Sequence, residues 1–163
     1  GAAGTPGATP QKELVARGYK GKIYQTHGVA NPDFLRVVGK DGNGTLLPAG
    51  PMLVWEQLPD ANPIKKVAAE YVTAYEKKFG TRSTFGGHAY DTYLLLRAAV
   101  PEALKAGKPG TKAFRTALRD ALEKANVVGT HGVFVMSQHD HNGLDNRARV
   151  MVRIDNDKWV LVK

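Results

Sequence analysis

Cysteine is absent from the 163 residues. That excludes disulfides, thiolate metal sites and a cysteine nucleophile. It leaves the compartment open, because exported proteins also do without cysteine. Long apolar runs are absent too. The longest candidates, residues 94–96 and 133–136, fall far short of the roughly 20 residues of a membrane-spanning helix. There is no G-x-S-x-G, no Walker loop and no HExxH, so serine hydrolysis, nucleotide hydrolysis and zincin chemistry have no motif to rest on. Acidic residues are the minority, 15 against 23 Lys and Arg, for a net charge of +8. The cations are spread singly or in pairs from Lys12 to Lys163. The densest stretch, Arg147 to Arg153, alternates with apolar residues as a half-exposed strand would. A basic stripe interleaved with exposed aromatics, the footprint of a nucleic-acid surface, does not show. The first ten residues, "GAAGTPGATP", lack an initiator Met, a basic n-region and an apolar h-region, so they are not a signal peptide. They read as a strand end and the loop after it, and the chain is expected to begin in mid-domain.

What is present is enough apolar sequence, 42%, for one core in an ordinary soluble domain. Thr9-Pro10, Asn31-Pro32 and Asn62-Pro63 each pair a capping residue with proline at the first helical position. They predict helices to about Arg17, to Gly39 and to Gly80. The third carries Ile64, Val67, Ala68, Tyr71, Val72, Tyr75 and Phe79 on one face. A fourth helix starts near Phe85 to His88, with Pro101 expected to kink or split it. A fifth, from about Thr111, places Phe114, Ala117, Leu118, Ala121, Leu122 and Ala125 inward, with Arg119 and Glu123 spaced for an i, i+4 pair. Short strands are expected at residues 22–25 and 45–47, and residues 48–58 form a proline-rich connector. The last third changes period: strands at 132–137, 147–154 and 158–162, with Asn142-Gly143 and Asn156-Asp157 as turns. The order is α/β with a closing antiparallel meander.

Four places carry residue types that could bind something. His27 lies between the 22–25 strand and the helix at Asn31. Ligands of open α/β sheets bind at such junctions, and a histidine there can hydrogen-bond a carboxylate, or can merely cap backbone. Gly4 and Thr5, in "GTPGA", offer backbone N–H and a hydroxyl at a second such junction; the alternative is a plain small-residue turn. "STFGGHAYDTY" places Phe85, His88, Tyr90 and Tyr93 near a Gly-Gly, as a pocket wall or as ordinary core. His139 and His141, with Asp140 and Asp145, lack the spacing of known zinc motifs and read as a solvated, metal-free turn.

Several of these segments, "GTPGATPQKELVARGYKGKIYQTHGVANPDFL", "NPIKKVAAEYVTAYEKKFG", "GGHAYDTYLLLRAAV" and "GVFVMSQHDHNGLDNRARVMVRIDNDKWVLV", in this order, resemble the C-terminal part of a type I periplasmic substrate-binding protein. The subfamily resembled serves ABC importers of branched-chain amino acids, with relatives that bind aromatic or 2-oxo acids. The resemblance implies two Rossmann-like α/β lobes of parallel sheets flanked by helices, closing on a ligand. It implies that residues 1–50 and 128–163 lie in one lobe, 51–127 in the other, and that the chain is a fragment of a longer protein. It implies a periplasmic, non-enzymatic solute-binding component with a membrane permease as partner, no cofactor, no metal and no nucleic acid. The complete protein is expected to be a monomer. The 163-residue chain is expected to need either the missing half or a second copy to cover its helices. Carried over by position, ligand contacts fall on Gly4, Thr5, His27, Phe85 and Tyr90. Leucine-type binders place an acidic residue where His27 stands. A histidine is no counter-ion for an ammonium, so a carboxylate or 2-oxo acid is expected in place of an α-amino acid. Two other classes stay open at this point: a basic nucleic-acid-binding or interaction domain, and a histidine-dependent metalloenzyme. The latter needs the five histidines to converge in space.

Overall fold

In the computed structural model, which describes residues 2–162, the helices are α1 (Ala8–Ala16), α2 (Pro32–Val38), α3 (Pro63–Phe79), α4 (Thr84–Ala106) and α5 (Lys112–Leu122). The strands are β1 (Leu46–Ala49), β2 (Asn126–Val128), β3 (Val133–Val135), β4 (Val150–Asp155) and β5 (Lys158–Leu161). Two of the three proline caps act as the sequence indicates. Asn31 Oδ1 accepts from Phe34 N at 3.0 Å and Asn62 Oδ1 from Ile64 N at 2.9 Å. The first does not. Helix α1 starts earlier, at Ala8, with Gly7 as its N-cap and no side-chain cap bond. Buried Gly7 and Ala8 sit close against Val29 and Phe34, and that packing sets the start in place of the Thr9 hydroxyl.

Strands β1, β4 and β5 form one antiparallel sheet in that order, and β2 pairs with β3 as a hairpin. Asn156 and Asp157 adopt positive φ at the tight β4–β5 turn, as the sequence signal requires. The expected strand at 22–25 shrinks to one parallel bridge, Tyr24 to Leu46. Its neighbours diverge because Gln25 turns its amide onto Gln11 Oε1 and Gly7 O. Residues 51–57 of the expected connector coil into 3₁₀ turns that are buried over 51–54. Helix α4 runs through Pro101 without splitting. Ala99 and Ala103, both buried beside it, hold the helix together where the proline removes one hydrogen bond. Helix α5 buries none of its residues fully. Its apolar stripe meets α4 on one side, and only Ala125, just beyond it, is buried.

The core falls into two clusters. One joins Ala8, Val29, Phe34, Val38, Leu47, Val54, Val152 and Ile154. The other joins Met52, Ile64, Ala68, Tyr71, Val72 and Val133. Between the ends of β1, α4 and the β2–β3 hairpin lies a cavity.

Candidate functional site

The hairpin turn between β2 and β3 is "GTHG", residues 129–132. Nothing in it is hydrophobic, yet Thr130 and His131 are buried. Burying a polar turn is costly unless every group is satisfied, and helix α4 supplies the partner. Asp91 Oδ1 accepts from Thr130 N, and Asp91 Oδ2 accepts from His131 N at 3.0 Å and faces His131 Nδ1 at 3.3 Å. The Thr130 hydroxyl donates to Gly87 O at 3.2 Å, which leaves its lone pairs for His131 Nδ1 at 2.9 Å. Both acceptors therefore face Nδ1, so the ring proton sits there and Nε2 carries a lone pair. That Nε2 is buried with no partner among the described residues. The ring is held on both sides by glycines: a Cβ on Gly50 would lie 1.9 Å from His131 Cδ2, and one on Gly87 2.4 Å from Cε1.

His88, one turn before Asp91 on α4, stacks on His131 with ring centroids 3.7 Å apart. His27 stands edge-on to His88 at 5.4 Å and 6.2 Å from His131. Its Nε2 is also buried and unpartnered. Burial first, and then the neighbouring His131, hold the His27 pKa below its ordinary value. His88 is exposed over much of its surface, yet desolvation of its ring against the cavity wall, followed by His131 and His27, pushes it down to about 4. Both imidazoles are therefore neutral at pH 7. The three rings open onto a cavity of about 440 Å³ that Leu95, Phe134, Leu144 and Arg149 also line. Among the described residues Asp91 is the only acid on its wall, and both its oxygens are occupied.

Of the residues picked out from sequence, His27 and His88 line this cavity. Gly4 and Thr5 are not among its lining: Gly4 N donates to Gly28 O at 2.8 Å, so that amide is already spent within the protein. Helix α2 adds little positive potential at His27, being seven residues long with its Phe34 N–H taken by Asn31. Tyr90 turns away and stacks on Tyr71 at 4.7 Å in the second core cluster, and Phe85 is largely exposed at the start of α4. Sequence reading missed Asp91 and His131. The signal for Asp91 was its i, i+3 spacing from His88, which puts both on one face of α4. For His131 no local signal exists, since only the hairpin brings it there. His139 and His141 lie in a turn whose Asp140 Oδ1 accepts from Asn142 N and Gly143 N, while His141 pairs with Glu123 at 3.0 Å. They do not join the other three.

No family model matches the chain, and none of the curated proteins does. Solved structures do. An extracellular ligand-binding receptor from Rhodopseudomonas palustris HaA2 superposes with a TM-score of 0.95 at 44% identity, over 100% of this chain and 46% of its own. A leucine-binding protein from Thermotoga maritima MSB8 gives 0.74 at 18% identity, over 99% of this chain and 42% of its own. A type 1 periplasmic binding protein from Bordetella pertussis Tohama I gives 0.73 at 18%, over 99% and 44%. The last two show the fold alone; the first adds sequence similarity along the whole chain. By fold the chain is α/β of the type I periplasmic-binding-protein kind. At 44% identity along its whole length it is similar to an extracellular ligand-binding receptor, and it spans a little under half the length of these relatives.

Proposed function

We propose that the chain is part of the exported solute-binding component of an ABC importer, non-enzymatic, and that its histidine-lined cavity takes the carboxylate of a small organic acid. The observation that carries this is His27. Its Nε2 is buried, unpartnered and held neutral beside a cavity that also has Arg149 at its wall. A neutral imidazole can donate one N–H to a carboxylate oxygen, and a guanidinium can take the other oxygen. Among the described residues no free carboxylate lines the cavity to pair an ammonium, because Asp91 is engaged by Thr130 and His131. An aromatic or 2-oxo acid therefore fits better than an α-amino acid, and Leu95, Phe134 and Leu144 suit its apolar body. The neighbours' described roles, ligand-binding receptor and leucine-binding protein, support the solute-binding part. The two core clusters are in keeping with a division into two lobes, although Leu53 and Val54 pack with the first cluster and Val133 with the second, so the packing does not break at residues 50 and 128 themselves.

Intrinsic fluorescence of Trp55 and Trp159, followed in chelator-containing buffer, tests this. Benzoate and 4-methyl-2-oxopentanoate are the acid probes, and leucine is the comparison. A saturable signal with an acid and none with leucine is expected. Saturation by leucine at lower concentration than either acid overturns the acid reading.

A further inference from the structure

His27, His88 and His131 come from three distant parts of the chain, yet one ring nitrogen of each lies within 4.8 Å of the others. We propose that these three histidines bind a divalent transition metal, zinc above all, with its remaining coordination positions open to the cavity.

Three observations carry this independently of the organic-acid reading. First, two of the three histidines have a buried Nε2 with no partner among the described residues, and His131 itself is 2% exposed. An unsatisfied buried polar atom costs about 1–3 kcal/mol, so a pair of them facing one cavity calls for an occupant. Second, His131 is prepared as a ligand. Its Nδ1 proton is taken up by Asp91 Oδ2 and Thr130 Oγ1, which fixes the tautomer and leaves the Nε2 lone pair outward. A carboxylate behind a histidine in this way orients the ring and raises its basicity toward a metal. Third, the donor set is all imidazole, with no thiolate and no free carboxylate. That suits zinc, nickel or copper and does not suit magnesium or calcium.

The geometry needs one adjustment. Zinc–nitrogen bonds of about 2.0–2.1 Å place tetrahedral ligand atoms about 3.4 Å apart. The rings of His88 and His131 are stacked, 17° from parallel, so their in-plane lone pairs run side by side. His88 is exposed and turns out of the stack by side-chain rotation alone, whereas His131 is clamped between Gly50 and Gly87. The site is thus one fixed ligand and two adjustable ones. Three protein ligands leave zinc a further position, and here it faces Leu95, Phe134 and Arg149. A carboxylate arriving in the cavity would meet the metal there.

The test is isothermal titration of the chelator-treated, dialysed protein with zinc chloride alone, no organic acid being present. One zinc per chain is expected. His27→Gln and His88→Gln should each weaken binding at least tenfold; both side chains reach the surface, so folding survives, checked by an unchanged circular-dichroism spectrum. The double variant His139→Gln/His141→Gln should bind as the parent does. Absence of saturable binding in the parent, undiminished binding in either single variant, or loss of binding in the double variant overturns the proposal. Because the acid titration runs in chelator and this one runs without acid, either reading can fail while the other stands.

Discussion

Asp91 faces His131 twice, through the backbone N–H at 3.0 Å and through ring Nδ1 at 3.3 Å, and both residues are buried. One carboxylate thereby ties helix α4 to the β2–β3 turn and sets the orientation of the ring that floors the cavity. Removing it strands two buried backbone donors, Thr130 N and His131 N. At about 1–3 kcal/mol for each such group, Asp91→Ala should lower unfolding stability by several kcal/mol. Urea denaturation measures this. A loss below 1 kcal/mol would mean the turn is held by something else.

The clamp on His131 makes its own prediction. Gly50→Ala places a Cβ against the ring with no flexible atom to yield. Overpacking of this kind costs about 1–3 kcal/mol. The same change at Gly44, where an added Cβ meets nothing, is a poor control because its φ is +84°. Ala3→Gly, at an exposed loop position, is a better one. Thermal melts of both variants should separate clearly, with Gly50→Ala the lower.

Stability should depend on pH through the same rings. His88 and His27 have folded pKa values below that of a free imidazole, His88 at about 4. The unfolded chain therefore binds more protons than the folded one from about pH 6.5 downward. The contribution is fully present above pH 6.5 and is lost as pH falls toward 4. His88→Gln removes part of this slope, so its denaturation midpoint should change less between pH 7 and pH 5 than the parent's. Equal slopes would show that His88 titrates normally.

Tyr93, Leu96 and Leu104 lie on one side of α4, and Phe79 and Phe85 lie nearby in sequence, all 39–64% exposed. Apolar area on this scale is uncommon on a monomer surface. Light scattering on the 17.6 kDa chain is expected to give a mass above the monomer, and Leu96→Lys with Leu104→Lys to reduce it. A monodisperse monomer would show that this face stays in water.

Most of the helical framework was legible in the sequence because its signals are local. Asn31 and Asn62 cap where proline follows, and Ile64, Ala68, Tyr71 and Val72 share the buried face that their spacing implies. The β4–β5 turn likewise follows from Asn156-Asp157. The site was legible only at His27. Tyr90 reads equally as pocket wall or core, and Tyr71 decided it. His88 stood in view but had no visible partner. His131 is 104 residues from His27 by number, and that meeting is made by the β2–β3 hairpin and the reach of Asp91, neither of which has a local pattern. His139 and His141, which the sequence reads as a turn, do lie in one.

Calorimetric titration of parent and His27→Ala with the acid that gives the fluorescence signal, in chelator, decides whether His27 holds an acid in this cavity. A hydrogen bond to a charged group contributes roughly 1.5–3 kcal/mol, so the account predicts a Kd weakened about 10- to 150-fold with the fold intact. An unchanged Kd would contradict it and take His27 out of the site.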